Sequence, residues 1–225
     1  ASMPIGAYAE KQIMPEDKLV SVPDGISNEV ASCVTLKGIT AEYLLHRAYP
    51  LKKGDKILYH AAAGGLGQIL CPWANAIGAE VIGTVGSKEK EEIAKNNGCH
   101  HVINYTDKNF VEEVEKIVGK NGIDVVYDGV GLKTFEGSIE VLKIRGMMVA
   151  FGNASGYVDT IDVKKHINAK GLFFTRPSIA HYTITREELE ESAKKVFEAV
   201  MSGKFKIKIS KKYSLNEVRE AHEDL

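Results

Sequence analysis

The sequence lacks a strong excess of charge of either sign. Its 29 Lys and Arg residues nearly balance its 30 Asp and Glu residues, which leaves a formal net charge of −1. Proteins that bind nucleic acid or an anionic membrane surface commonly carry a large positive charge. We therefore expect neither nucleic acid nor a membrane as a partner.

Long hydrophobic runs and paired cysteines are also lacking. No apolar stretch approaches the roughly 20 residues of a transmembrane helix, and the N-terminus shows no signal-peptide pattern. Cys33, Cys71 and Cys99 are scattered, and His, Cys and acidic residues do not cluster at the usual spacing of zinc ligands. These absences predict a cytoplasmic protein with reduced thiols and no metal site.

From Lys56 onward, apolar runs of strand length alternate with helical patterns. The predicted strands are 56–60, 80–85, 101–104, 123–127, 146–151 and 171–175. The predicted helices are 66–77, 88–97, 108–118, 132–143 and 161–168, with Gly98 and Gly119 placed to end two of them. Continuously apolar strands are typical of a parallel sheet covered on both faces. The predicted fold class is α/β, with a doubly wound parallel six-stranded Rossmann sheet.

The segment Lys56–Gly67 carries the main functional signal. A strand ends in Ala61-Ala-Ala-Gly-Gly-Leu-Gly67 and a helix follows, so the turn reads Ala62-x-Gly64-x-x-Gly67. Glycines let the backbone approach a pyrophosphate closely, and the helix N-terminus offers free N–H groups and a positive dipole end. With another strand following the helix, the pattern predicts a dinucleotide site. Pro72 lies within this helix, and we expect a kink near Gln68.

The end of the second strand indicates which dinucleotide is bound. Sites for NAD usually place Asp or Glu about 20 residues after the glycines, to bind the ribose 2′-hydroxyl. Here Ser87 stands at that distance from Gly67, followed by Lys88 and Lys90. Either the lysines decorate an exposed helix start or they bind a 2′-phosphate; we interpret the pattern as an NADP(H) site.

The flanking segments have a different character. Residues 1–27 suggest strands and turns, and residues 27–49 have a helical pattern that Gly38 divides into two helices. After Pro177 come a helix with a capping sequence at Thr185, a short strand over 206–209 and a last helix from Leu215. The chain lacks an initiator Met and stops inside a helical pattern, so we expect a fragment.

Seven short motifs occur in order along the chain: Leu36-Lys-Gly-Ile-Thr40, Ala61-Ala-Ala-Gly-Gly-Leu-Gly67, Gly83-Thr-Val-Gly86, Val102-Ile-Asn-Tyr105, Tyr127-Asp-Gly-Val-Gly131, Phe151-Gly-Asn-Ala-Ser-Gly156 and Thr175-Arg-Pro-Ser178. Together they resemble one family, the zinc-independent NADPH:quinone oxidoreductases of the zeta-crystallin-like branch of the medium-chain dehydrogenase/reductases. The resemblance implies that residues 1–27 and 179–225 are remnants of a GroES-like catalytic domain whose N-terminal part is absent. Residues 28–178 would form the NADPH-binding Rossmann domain.

The resemblance also implies roles for particular residues. The pyrophosphate would be held by Gly64, Gly65, Leu66 and Gly67. The 2′-phosphate would be surrounded by Gly86, Ser87, Lys90 and Tyr105. The path to the nicotinamide would be lined by Thr40, Tyr43, Gly129, Val130, Phe151, Gly152, Asn153 and Ser178. A homodimer would form through the edge strand 171–175.

The expected activity is hydride transfer from NADPH to a quinone. The sequence shows no acid–base pair, and we assign no catalytic side chain; in this chemistry the cofactor carries the hydride and the protein orients two rings. Two alternatives stay open: an enoyl or alkenal reductase on the same fold, and a non-enzymatic NADPH-binding module. The separate 225-residue piece is expected to bind NADPH but to reduce quinones negligibly.

Overall fold

One parallel β-sheet dominates the computed structural model, which describes residues 6–224. Within that range the sheet consists of β1 (Lys56–His60), β2 (Glu80–Val85), β3 (His101–Asn104), β4 (Ile123–Asp128), β5 (Leu142–Ala150) and β6 (Phe173–Thr175). The strand order β3-β2-β1-β4-β5-β6 is that of a doubly wound Rossmann sheet. The α/β class and the six-stranded sheet are thus confirmed, and the first three strands begin and end where predicted.

Helices cover both faces of the sheet. The helices of the described chain are α1 (Asn28–Tyr43), α2 (Gly67–Ile77), α3 (Lys88–Asn96), α4 (Phe110–Val118), α5 (Phe135–Val141), α6 (Ile179–Tyr182), α7 (Arg186–Met201) and α8 (Val218–Glu223). Shorter turns are 3₁₀-helical at Glu16–Lys18 and Leu215–Glu217 and π-helical at Leu44–Ala48 and Val163–Asn168. One core joins α1, α2, α3 and α7 to the sheet, and a second joins α4 and α5 to its other face.

The prediction of two helices between Ser27 and Tyr49 is wrong. Ser27 caps α1, which runs through Gly38 to Tyr43 and continues into the π-helical turn. A Cβ at Gly38 would lie 2.5 Å from Cγ1 of Val196 in α7. Glycine costs about 1 kcal/mol in a helix interior relative to alanine. Here its missing side chain lets two helices pack closely, and that packing outweighs the local preference.

Other corrections concern segment ends. Residues 6–27 and 206–209 form no strand, and residues 1–5 lie outside the described range. A strand is stabilised by pairing, and neither segment has a neighbour to pair with in the described part of the chain. β5 starts at Leu142 instead of residue 146, because a register shift lets Leu142 pair with β4 ahead of the regular ladder.

The helix-ending signals were predicted correctly. Gly98 and Gly119 have φ of 84° and 82°, which glycine adopts readily. Thr185 and Glu188 form the reciprocal capping pair at the start of α7. Pro72 lies inside α2, and the kink near Gln68 stays a prediction.

Trp73, the sole tryptophan of the sequence, lies buried in α2. Its ring centroid is 5.3 Å from that of His46 and 5.4 Å from that of Phe205. Since Phe205 follows α7, this contact anchors the C-terminal segment to the Rossmann core. Between residues 6 and 224, no helix has the length and apolar character needed to cross a membrane.

Candidate cofactor and active site

The strand order reverses between β1 and β4, and the loops at the carboxyl ends of the strands meet there. In open α/β sheets this switch point is where a crevice for ligands opens. The residues implied by the resemblance lie along this edge: 64–67 after β1, 86–87 after β2, Tyr105 after β3, 129–130 after β4, 151–153 after β5 and Ser178 after β6. Thr40 and Tyr43 join them from α1, and Lys90 from the first turn of α3.

The glycine turn brings β1 and α2 into close contact. A Cβ on Gly67 would lie 2.7 Å from the carbonyl carbon of Ala62 and 2.9 Å from its Cα, so only glycine is accommodated there. Among residues 6–224, the N–H groups of Gly65, Leu66 and Gly67 donate to no acceptor. Free donors at a helix start are the feature that binds a pyrophosphate.

We call the crevice along the carboxyl ends of the strands the groove. Its end beside β2 and β3 is open to solvent. A Cβ on Gly86 would lie 2.6 Å from the hydroxyl oxygen of Tyr105, so this half-exposed ring lies across the glycine. Ser87 caps α3 by accepting the Lys90 N–H at 3.3 Å. The Lys90 ammonium makes no salt bridge to any residue in the described range. Ser87 therefore occupies the position where NAD sites usually carry an acidic residue, and Lys90 follows three residues later in the first turn of α3.

The opposite end is built on a buried carboxylate, Asp128, at the end of β4. It accepts the N–H groups of Val130 and Gly131 at 2.7 and 2.9 Å and the Thr134 hydroxyl at 2.7 Å. These bonds fix the turn that contains Gly129 and Val130. Sequence reasoning missed Asp128, although it lies inside the quoted motif Tyr127–Gly131.

The loops after β4 and β5 are held against each other. The N–H of Ser155 donates to the Val130 carbonyl at 2.8 Å, and a Cβ on Gly152 would lie 2.7 Å from the Cα of Gly129. The two backbones therefore meet with no room for a side chain. Phe151 lies on this junction, since a Cβ on Gly129 would lie 2.9 Å from its ring.

Beneath these loops lies a buried histidine, His60, at the end of β1. Its ring nitrogens lie 2.9 Å from the Thr84 hydroxyl and 2.9 Å from the Ser138 hydroxyl. Burial lowers the pKa of His60 below its ordinary value of 6.5, against the opposing field of Asp128. The imidazole is therefore neutral and serves to connect β1, β2 and α5.

A cleft of about 500 Å³ adjoins the Phe151 loop. The cleft brings together four predicted residues and four that were not assigned; its lining is Thr40, Tyr43, Phe151, Arg176, Pro177, Ser178, Ile179 and His181. Arg176 Nη2 lies 3.5 Å from Asn153 Oδ1, which links the cleft to the loop after β5. Arg176 was overlooked although it belongs to the motif Thr175–Ser178.

The floor of the cleft is aromatic. Tyr43 stacks on Tyr182 with centroids 4.5 Å apart, and the Arg47 guanidinium lies 5.1 Å from the Tyr182 centroid. Arg47 is held in turn by Glu42 at 3.0 Å and Ser192 at 2.7 Å. Burial, with Tyr182 nearby, raises the pKa of Tyr43 to about 12. The Tyr43 phenol is therefore protonated at neutral pH.

The sequence profile of the zinc-binding dehydrogenase family matches residues 65–199. The chain is 44% identical over 222 residues to 2-haloacrylate reductase of a Burkholderia species, covering 97% of this chain and 67% of that protein. It is 42% identical over 228 residues to quinone oxidoreductase 1 of Escherichia coli, covering 100% of this chain and 69% of that protein. The chain belongs to the zinc-binding dehydrogenase family.

Solved structures of zinc-binding dehydrogenases share the fold. That of 2-haloacrylate reductase superposes with a TM-score of 0.93 at 43% identity, over 98% of this chain and 69% of that one. The structure of Escherichia coli quinone oxidoreductase complexed with NADPH superposes with a TM-score of 0.92 at 42% identity, over 98% of this chain and 68% of that one. These matches confirm the resemblance to the medium-chain dehydrogenase/reductases that the ordered motifs indicated.

The family takes its name from a metal. In the part of the chain that the structure describes, no group of three or more His, Cys, Asp or Glu residues is placed to hold a metal ion. That observation covers residues 6–224, and zinc independence stays a prediction.

Proposed function

We propose that this zinc-binding dehydrogenase catalyses zinc-independent hydride transfer from NADPH to a quinone. The observation that carries the proposal is the open end of the groove, where the Tyr105 hydroxyl lies over Gly86 and Lys90, in the first turn of α3, makes no salt bridge to the described residues. A 2′-phosphate needs positive charge and donors, whereas a 2′-hydroxyl is usually bound by an acid. Relatives named quinone oxidoreductases, one of them solved with NADPH, support it.

The groove suits a dinucleotide along its length. The free N–H groups of residues 65–67 supply donors for a phosphate. The close backbone contacts at Gly67 and Gly152 hold the loops that line the groove in place. When bound, NADPH supplies the hydride. The residues proposed to hold it are Thr40, Tyr43, Gly64, Gly65, Leu66, Gly67, Gly86, Ser87, Lys90, Tyr105, Gly129, Val130, Phe151, Gly152, Asn153 and Ser178.

The contribution of the chain to the reaction is placement. Phe151, Tyr43 and Ile179 give the cleft apolar surface, which restricts how a flat ring can lie. The raised pKa of Tyr43 keeps its hydroxyl protonated at neutral pH. A quinone is an electron-poor ring that accepts hydride without a strong acid in the first step, so a site without an acid–base pair is sufficient.

A reductase acting on an activated carbon–carbon double bond is the second candidate. It is favoured by the 44% identity to a protein named 2-haloacrylate reductase.

The test is NADPH oxidation by the full-length protein with 1,4-benzoquinone, a 2-haloacrylate and an alkenal at equal concentrations. We expect the quinone to be reduced fastest. Faster reduction of either alkene would replace the proposal with the second candidate, and NADPH binding without any oxidation would identify a binding module.

We also propose a homodimer that pairs through residues 171–175. β6 is the last strand in the sheet order, and Phe173 on it is 57% exposed. An exposed apolar edge strand tends to pair with another chain, and a two-fold axis would join two such edges into one sheet. Phe173→Lys should yield a monomer at micromolar concentration by sedimentation, whereas Ile184→Lys, equally apolar and exposed but off the edge, should stay dimeric. A Phe173→Lys dimer would contradict the proposal.

Two further assignments are kept as proposals. Residues 28–178 form the NADPH-binding domain, with residues 1–27 and 179–225 belonging to the catalytic domain; the confinement of all described strands to residues 56–175 supports this division. A cytoplasmic location is supported by Cys33, Cys71 and Cys99 all being free thiols.

A further inference from the structure

A lysine of α1, Lys37, reaches over the glycine turn. A Cβ built on Gly65 would overlap the Lys37 ammonium and would lie 3.0 Å from its Cε and 3.4 Å from its Cδ. The side chain therefore lies along the turn with its charged end above it. Gly65 is 28 positions away in sequence, so α1 and not the local motif supplies this charge.

The position is electrostatically unfavourable in the absence of an anion. Lys37 makes no salt bridge or hydrogen bond to any residue from 6 to 224. It lies beside the free N–H groups of residues 65–67 and the positive end of the α2 dipole. A cation at a helix N-terminus is destabilised by up to about 1 kcal/mol. An anion between the ammonium and the N–H groups would convert that repulsion into attraction from both sides.

The rest of α1 shows which anion this is. Lys37, Thr40 and Tyr43 are spaced three residues apart, so they lie along one side of the helix. Thr40 and Tyr43 line the nicotinamide cleft, and Lys37 lies above the pyrophosphate turn. The helix thus borders the groove from its middle to one end. The 2′-phosphate end, marked by Gly86, lies on the other side of the glycine turn, after β2.

We propose that Lys37 binds the pyrophosphate of the nicotinamide dinucleotide, and so adds affinity without selecting between NADPH and NADH. The inference rests on the proposed function, because it assumes a dinucleotide in this groove. It assigns the 2′-phosphate to Lys90 and the shared diphosphate to Lys37. The two lysines then have separable effects on three probes: NADPH, NADH and 2′-AMP, which carries the 2′-phosphate but no diphosphate.

The test measures dissociation constants for the three probes by fluorescence and calorimetric titration. Lys37→Met keeps the aliphatic stem and removes the charge. This variant should weaken the binding of NADPH and of NADH equally, by about tenfold, which corresponds to about 1.4 kcal/mol. That is the low end for an exposed charge-assisted hydrogen bond. Binding of 2′-AMP should be unchanged. Lys37→Arg should restore most of the affinity, and the dependence of NADPH binding on ionic strength should become shallower only in the Met variant.

Lys53→Met is the matched control. Its stem also lies against a glycine next to α2, since a Cβ on Gly78 would lie 2.9 Å from its Cγ, but at the opposite end of that helix. It should bind all three probes normally. Unchanged NADPH and NADH binding in Lys37→Met would overturn the inference while leaving the proposed function intact, as would an equal loss for 2′-AMP. Wild-type protein that bound neither dinucleotide would overturn both.

Discussion

The two ends of the groove are constructed in opposite ways. The proposed nicotinamide end consists of backbone loops bonded to each other and to the buried Asp128, which accepts four hydrogen bonds. The proposed 2′-phosphate end consists of side chains on the surface: Tyr105 lies over Gly86, and the Lys90 ammonium makes no salt bridge to the described residues. A rigid frame is needed where ring placement controls a reaction, whereas a phosphate needs only charge and donors. Substitutions at the first end should therefore affect stability, and those at the second should affect selectivity.

A pair of glycine substitutions tests this contrast most directly. Gly152→Ala would place a Cβ 2.7 Å from the Cα of Gly129, where only backbone could move, whereas Gly86→Ala would meet the mobile end of Tyr105. We expect Gly152→Ala to lower the free energy of unfolding by about 3 kcal/mol, the upper range for overpacking, and to abolish NADPH binding. Gly86→Ala should cost less than about 1 kcal/mol. Urea denaturation measures both, and equal losses would contradict the contrast.

Lys90→Ala tests the selectivity of the open end. Loss of a charge-assisted hydrogen bond that contributes about 1.5–3 kcal/mol should weaken the binding of NADPH by about tenfold to about a hundredfold. NADH binding and the free energy of unfolding should hardly change. Lys95→Ala, on the same helix but paired with Glu91 and Glu92, is the matched control. If Lys90→Ala weakened both cofactors equally in fluorescence titration, Lys90 would not bind the 2′-phosphate.

A smaller effect should appear in the pH dependence of stability. The folded protein holds His60 neutral because burial lowers its pKa, while the unfolded chain protonates it below about pH 6.5. Because only the unfolded chain takes up this proton, His60 does not lower the free energy of unfolding above pH 6.5. As the pH falls from 6.5 toward the folded-state pKa, the free energy of unfolding decreases by at most about 1.4 kcal/mol per pH unit. Urea denaturation between pH 7.5 and 5.5 should show a shallower loss for His60→Gln than for the wild type. Identical slopes would mean that His60 does not titrate in this range.

The sheet could be predicted from the sequence because its strands are continuous apolar runs bounded by helix-ending glycines. Those signals are local, and β1, β2 and β3 agree to the residue. Gly38 was misjudged because its effect depends on Val196, far along the chain, which occupies the space of the missing side chain. Segment 206–209 was misjudged because alternation alone does not supply a partner strand.

The residues of the groove, like those of the sheet, could be predicted where the signal lies in the local sequence. Motif residues at strand ends, such as Gly86 and Tyr105, meet because parallel strands carry their ends to one edge of the sheet. Lys37 and Arg176 were not assigned, although both lie within the quoted motifs. Their roles depend on where long side chains point, and sequence spacing carries no such information for Lys37 and Gly65. Asp128 was missed for a related reason, since its four hydrogen-bond donors are evident only from the folded structure.

The position of Trp73 makes it an internal optical probe. The indole is shielded from water between His46 and Phe205, so its emission reports whether the chain beyond α7 is docked on α2. A red shift that preceded the loss of helical circular dichroism during denaturation would record the tail detaching from an intact sheet. Because the sequence has no other tryptophan, that signal can be read without labelling.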